Sequence, residues 1–228
     1  MSQEVGSTTV LLVGALLVRL SLGGAYTRYV RVGMGPWLLV AGLLLAGLGA
    51  VGVAAALARP RAADPPDHQH GERVGWLLLA PVVALLMVTP PALGSFGVDR
   101  STVVEVSSGG RTFAPLPAGG PVPMTLLEYG QRAADHAGAS FGATPVRLTG
   151  FVARSRDGDG FRLARYQIQC CAADAVAAVV RVLGGTGDPP GLDTWITVTG
   201  TFQPSADGVP RLRASSLETV PAPADPYE

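Results

Sequence analysis

The sequence predicts a membrane α-helical N-terminal half with three transmembrane helices, followed by a small all-β, OB-like barrel domain. Two stretches, residues 32–58 and 74–98, contain no Asp, Glu, Lys or Arg, and about 20 apolar residues are enough for a helix to span a bilayer. After residue 96 the pattern changes to short alternating segments separated by Gly and Pro, which is typical of strands. The charged fraction of 15% is also low, since roughly 25% is usual in soluble domains.

The transmembrane region is predicted to cover residues 1–96, with helices at about 8–26, 36–58 and 74–93. Trp37 and Trp76 lie near the ends of the second and third helices, where aromatic rings favour the membrane interface. Pro90 and Pro91 are expected to end the third helix, because proline cannot continue its hydrogen bonds. The chain is therefore predicted to be a multi-pass protein of the cell membrane, with membrane lipid as a partner.

Arg19 is the one ionised side chain inside the first predicted span. Charged groups at membrane depth usually face a protein partner or water. In the alternative interpretation Arg19 lies near the helix end, and its guanidinium group reaches the lipid headgroups.

Small residues form a stripe along the second predicted helix, at Gly42, Ala46, Gly49 and Val53. Their spacing of four, three and four residues places them on one helix face. Such a stripe allows close helix packing, either within the chain or with a partner.

The arginines of the loops set the predicted orientation. The loop after the second helix contains Arg59, Arg61 and Arg73, and the loop after the first contains Arg28 and Arg31. Because basic short loops prefer the cytoplasm, the N-terminus is predicted inside and the C-terminal domain outside the cell. This orientation places three arginines inside against four outside.

The loop at residues 59–73 contains His68 and His70, with acidic residues on both sides. Imidazole and carboxylate groups together can bind a divalent metal such as zinc. The loop is also rich in proline, so a polar linker between two helices is the alternative interpretation.

Residues 97–145 are predicted to form a linker that contains one short helix. Thr125 and Glu128 make a T-x-x-E capping box, which marks a helix start. The helix is expected to cover about residues 126–137.

Five short β segments predict an OB-like domain over residues 146–228, and an irregular β-sandwich fragment is the alternative. The run at 175–183 is apolar throughout and fits either a strand or a helix. The predicted core residues are Phe151, Leu163, Tyr166, Ile168, Trp195, Ile196, Val198 and Leu212. From residue 97 onward the chain has 11 arginines against 13 acidic residues, so no nucleic-acid partner is expected.

Cys170 and Cys171 are predicted to end the second of these strands. Adjacent strand residues point to opposite faces, so both thiols are not expected to reach one metal ion. Asp174 is close enough to join one thiolate in a metal or ligand site, although a carboxylate raises a thiol pKa. Simple packing at a strand end and a redox switch are the alternatives. No motif for catalysis is present in the sequence, so the chain is not expected to be an enzyme.

Several segments together resemble the YcgQ-like bacterial membrane proteins, a family of largely unknown function. The most specific is Arg165-Tyr-Gln-Ile-Gln-Cys-Cys-Ala-Ala-Asp-Ala175, and the others are Gly75-Trp-Leu-Leu-Leu-Ala-Pro81, Leu148-Thr-Gly-Phe-Val152 and Trp195-Ile-Thr-Val-Thr-Gly200. The resemblance implies an accessory subunit that pairs with a separate multi-helix permease. The matched site positions are Cys170, Cys171 and Asp174, for which the family supplies no established role.

Three functions follow as hypotheses from these patterns. The first is a membrane-anchored accessory subunit of a permease complex, with the β domain outside the bilayer. The second is a zinc-binding membrane sensor or chaperone that uses the histidine loop or the Cys-Cys-Ala-Ala-Asp segment. A thiol-redox protein is a third hypothesis, and it requires a thiol of low pKa.

Overall fold

The computed structural model describes residues 3–58, 80–81, 83–84, 87–88, 91–98, 112–155, 160–185, 190–205 and 208–228. The chain divides into two compact units, Met1–Pro91 and Ala92–Glu228. The division falls five residues before the boundary expected at residue 96, because Ala92 and Val98 pack into a core of the second unit. Each unit is described below by itself.

The first unit contains two long helices, α1 (Gln3–Leu22) and α2 (Gly35–Ala58). Both are long and apolar enough to cross a membrane by their length and composition. Of the third predicted helix, at 74–93, residues 80–81, 83–84 and 87 are helical, and much of the rest lies outside the described residues.

Glycines line the contact between α1 and α2. A Cβ atom added to Gly42 would lie 3.0 Å from the Leu17 Cβ atom, and one added to Gly49 would lie 2.6 Å from the Leu11 Cα atom. The helices therefore approach so closely that larger side chains do not fit. The small-residue stripe of α2 therefore packs against α1 of the same chain. Packing within the chain was one of the two kinds of contact predicted for it.

The second unit is built on a five-stranded barrel. Its strands are β2 (Val146–Ala153), β3 (Phe161–Gln167), β4 (Val176–Leu183), β5 (Trp195–Gln203) and β6 (Arg211–Thr219), and a two-residue strand β1 (Val122–Pro123) pairs with the start of β2. Two short helices accompany them, α3 (Ser95–Val98) and α4 (Leu126–Ala134).

The pairing of β2 with β5 closes the barrel. Around the ring the strand order is β2-β3-β4-β6-β5, and β5 returns to β2. The β4–β6 contact is parallel, whereas the four other contacts of the ring are antiparallel. The predicted five-stranded barrel is confirmed, the β-sandwich alternative is wrong, and the ambiguous run at 175–183 forms a strand.

The barrel interior is filled by side chains from all five strands. They include Leu148, Leu163, Val180, Ile196 and Leu212, each fully buried. Burial of such apolar surface is the main stabilising contribution to a small domain.

Helix α4 packs against this interior core. Its first turn is capped as the T-x-x-E motif predicts, because the Glu128 N–H donates to Thr125 Oγ1 over 3.0 Å. The Tyr129 ring lies 4.9 Å from the Phe141 ring. The helix ends three residues earlier than expected, since His136 and Ala137 adopt positive φ angles of 44° and 52°.

A second apolar cluster covers the outer face of the barrel. On β3, Leu163 belongs to the interior core while Ala164 and Tyr166 belong to the outer cluster, as the alternation of strand side chains requires. Val98 from the preceding segment and Tyr227 from the C-terminal tail complete this cluster. The predicted core residues therefore belong to two separate cores.

The C-terminal tail is held on β3 by polar contacts. Arg165 donates to the carbonyl oxygens of Asp225 and Tyr227 over 2.9 and 3.1 Å. The Glu228 carboxylate accepts from the N–H groups of Leu126 and Leu127, at the first turn of α4. Burial raises the pKa of the Glu228 carboxyl group, although these two donors and Arg165 oppose the shift.

A Tyr227→Phe change is expected to loosen the segment before α3. The Leu93 N–H donates to the Tyr227 hydroxyl over 3.3 Å, and loss of such a bond costs about 1 kcal/mol. Hydrogen–deuterium exchange of the Leu93 amide should then accelerate about fivefold. A Pro221→Ala change in the exposed part of the tail serves as the control, and equal exchange in both variants would contradict the assignment.

Candidate metal-binding turn

The candidate site is the turn at residues 169–174, here called the cysteine turn. Strand β3 ends at Gln167, and the buried Ile168 side chain anchors the chain to the outer cluster. A short 3-10 helix, Ala172–Asp174, then leads towards β4. Cys170 is exposed and Cys171 is half-buried.

The Asp174 carboxylate organises this turn. Its Oδ1 atom accepts from the Gln169 N–H over 2.9 Å, and its Oδ2 atom accepts from the N–H groups of Cys170 and Cys171 over 2.8 and 3.3 Å. The Asp174 N–H in return donates to the Cys171 side chain. Three backbone donors thus hold one carboxylate beside two thiols.

The local sequence explains this geometry. Cys171 and Asp174 stand at the two ends of a C-x-x-D segment and form a reciprocal capping box, in which a side chain at each end bonds the backbone of the other. The same rule located the start of α4 at Thr125. With cysteine as the cap residue, the same capping-box rule would have predicted this turn from the sequence.

Hydrogen bonding shifts the pKa values of Cys170 and Asp174 in opposite directions. The Cys170 thiol donates to the Asp174 carboxylate, and this bond, followed by a contact with Cys171, raises the pKa of Cys170 to about 12. The same bond, together with the backbone donors, lowers the pKa of Asp174 to about 2. At neutral pH the turn therefore presents an ionised carboxylate next to a protonated Cys170 thiol.

One donor atom from each of Cys170, Cys171 and Asp174 lies within 4.8 Å of the others. Tetrahedral zinc with Zn–S bonds of about 2.3 Å requires a sulfur–sulfur separation of roughly 3.8 Å. An inward shift of at most about 1 Å would bring the donors to that distance. A side-chain rotation in an exposed turn can supply such a shift.

The expectation that the two thiols point to opposite faces is wrong. It assumed that strand geometry continues through Cys171, whereas β3 ends at Gln167. In the turn that follows, both sulfur atoms lie on the side of the Asp174 carboxylate. The prediction that Asp174 raises a thiol pKa is confirmed.

Thiolates and a carboxylate match the donors that zinc accepts in proteins. A carboxylate has about four lone-pair sites, so Asp174 can bind a metal while it keeps its backbone donors. The exposure of Cys170 disfavours the interpretation of this residue as simple packing. Its raised pKa is the opposite of what a reactive redox thiol requires.

An Asp174→Asn change is expected to make Cys170 more reactive. Without the carboxylate the pKa of the thiol falls towards its ordinary value, so more thiolate is present at pH 8. Alkylation of the metal-free chain, measured in a Cys171→Ser background, should accelerate at least about tenfold. Glu218→Gln, an exposed charge removal on β6, should leave the rate unchanged, and an unchanged rate in Asp174→Asn would contradict the assigned contact.

The other predicted site residues lie elsewhere. Arg19 is in the last turn of α1 and exposed, which supports its placement at a helix end. His68 and His70 lie outside the described residues.

Comparison with known families gives one match, and the matched residues include the cysteine turn. Residues 132–228 match the family described as the DUF1980 C-terminal domain. The matched span begins within α4 and includes the whole barrel and the tail. It agrees with the predicted kinship to an uncharacterised family. No curated protein matches the chain.

Proposed function

We propose that this chain is a membrane-anchored accessory subunit of a transport complex, and that its barrel binds zinc through Cys170, Cys171 and Asp174. The observation that carries the zinc site is the approach of these three donor atoms to within 4.8 Å of one another in an exposed turn. In this proposal the chain has no catalytic step and no nucleic-acid partner.

The helices support the membrane anchor. Besides its contact with α1, helix α2 exposes large apolar side chains, among them Trp37, Leu48 and Leu57 at 71, 68 and 79%. An exposed apolar surface of this kind requires a cover, and lipid provides it for a helix of 24 residues. With the N-terminus in the cytoplasm and a third span that starts near residue 74 and ends before Ala92, where the second unit begins, the barrel lies on the extracytoplasmic side.

The resemblance to the YcgQ-like proteins supports the transport role. It implies a multi-helix permease as the partner, and the apolar helices offer the surface for its binding. In this arrangement the barrel captures zinc next to the permease. A zinc sensor or chaperone that acts without a permease uses the same cysteine turn and is the second candidate.

Isothermal titration of zinc into the full chain in detergent tests the binding. We expect one zinc ion for each chain, and the heat should disappear in the Cys170→Ser, Cys171→Ser variant. An absence of heat with the wild-type chain at micromolar zinc would contradict the proposed site.

Affinity purification from membranes in mild detergent tests the transport role. We expect a multi-helix permease to co-purify with the wild-type chain. Recovery of a zinc-binding chain without any permease would favour the sensor or chaperone. A Gly49→Leu variant, whose new side chain would collide with Leu11 of α1, should weaken the association if the helices form the binding surface.

Labelling of intact cells with an impermeant thiol reagent tests the orientation. After an impermeant chelator has removed the zinc, we expect modification of Cys171 without cell lysis, because the barrel is proposed to lie outside. A denatured sample shows whether both thiols are free to react. Modification that occurs only after lysis would place the barrel in the cytoplasm.

A further inference from the structure

The donors of the cysteine turn form an incomplete set for zinc. Cys170, Cys171 and Asp174 supply three ligands, and within the described part of the chain this group contains no fourth His, Cys, Asp or Glu. Structural zinc sites are closed by four protein ligands, whereas sites with three protein ligands keep one position for water or another molecule.

The position of the turn is also unlike that of a structural metal site. Cys170 is exposed, and the other two donors are half-buried. Neither apolar core includes them, and the barrel interior is already filled by side chains of all five strands. Zinc is therefore not required to hold the barrel together.

We propose that zinc bound at the cysteine turn keeps one open coordination position, at which a donor from a second protein binds to take up or deliver the metal. This inference rests on the zinc binding proposed above and specifies how the metal is exchanged. The partner group is an imidazole or a thiolate, the usual nitrogen and sulfur ligands of zinc.

The exchange needs no oxidant or reductant. A lone pair of the incoming donor forms a bond to zinc and displaces the bound water. The bonds from zinc to the Asp174 oxygen and the two cysteine sulfurs then break in turn, as further donors of the partner bind. Zinc remains Zn²⁺ throughout, and the released thiolates take up protons from water.

Cobalt substitution with imidazole as the probe tests the open position. The full chain in detergent is loaded with Co²⁺, which reports thiolate ligation by a sulfur-to-cobalt charge-transfer band. Imidazole is expected to shift the d–d bands saturably while the charge-transfer band persists, which indicates a ternary complex. An Ala173→Ser variant, altered in the same turn without the loss of a donor, should give the same shift.

Three outcomes separate the inference from the proposed function. If no charge-transfer band forms, zinc binding at this site is wrong and the inference fails with it. If the band forms and imidazole changes nothing, the site is closed and the inference alone is wrong. A response to imidazole that appears only in a His68→Ala, His70→Ala variant would show that the chain itself fills the position, and this too would overturn the inference.

Transfer kinetics provide a second measurement. Delivery of zinc from the full chain to a chromogenic chelator is expected to accelerate in proportion to the chelator concentration, because the chelator attacks the open position. A rate independent of the chelator concentration would mean that zinc must first leave the protein, and this would contradict the inference.

Discussion

Zinc affinity of the full chain is expected to fall at least a hundredfold when Cys170 and Cys171 are both replaced by serine. Even the loss of a group that only orients a metal ligand costs about 10- to 100-fold in affinity. The double change removes both sulfur ligands and leaves the half-buried Asp174 carboxylate as the one remaining ligand of the three. Competition with a chelator of known zinc affinity measures the effect.

The Ala173→Ser variant is the matched control for this experiment, because it adds a hydroxyl group to the same turn and keeps all three donors. Its zinc affinity should equal that of the wild type. If the double serine variant binds zinc as tightly as the control, the zinc site lies elsewhere in the chain, and the assignment to the cysteine turn is wrong.

A Gly200→Ala change is expected to destabilise the barrel by about 3 kcal/mol, the upper part of the usual range for overpacking. Gly200 lies at a register shift between β5 and β6. A Cβ atom there would collide with the carbonyl oxygen of Arg213 and lie 3.1 Å from the Ala214 Cα atom. Because these are backbone atoms of the neighbouring strand, the clash can be relieved only if β5 and β6 move apart.

Thermal unfolding in detergent should show the loss as a decrease of about 10 °C in the melting temperature of the barrel. Gly120→Ala is the control, because a Cβ atom at that exposed glycine meets nothing within 4 Å. Equal melting temperatures for the two variants would contradict the close approach of β5 and β6.

Periodicity predicted most of the barrel correctly, because its strands alternate between interior and exterior. The segment around Ile196 and Val198 shows this alternation, and both side chains are fully buried. The run at 175–183 remained ambiguous since β4 is apolar on both faces. Val180 faces the interior core and Val179 the outer cluster, so no two-residue pattern survives in the sequence.

The outer cluster could not be predicted from local patterns. It depends on Tyr227 and Val98, which reach β3 from distant parts of the chain. Tyr166 illustrates the difficulty: its burial was expected, yet the hydroxyl group bonds to the Gly94 carbonyl oxygen, 72 residues away in sequence.

The residues of the candidate site were identified from the sequence, but their geometry was not. The segment before Cys170 alternates like a strand, which predicted that β3 continues to residue 169. The Asp174 carboxylate instead binds the N–H groups of Gln169, Cys170 and Cys171. Those donors are then unavailable for strand pairing, and the chain turns two residues earlier than its alternation suggests.

X-ray absorption at the zinc edge of the zinc-loaded full chain identifies the atoms bound to the metal. We expect about two sulfur ligands at about 2.3 Å, with oxygen or nitrogen ligands at about 2.0 Å completing the shell. In the Asp174→Asn variant the two sulfur ligands should remain while affinity falls. A zinc shell without sulfur, or one with four sulfur ligands, would contradict a site formed by Cys170, Cys171 and Asp174 of one chain.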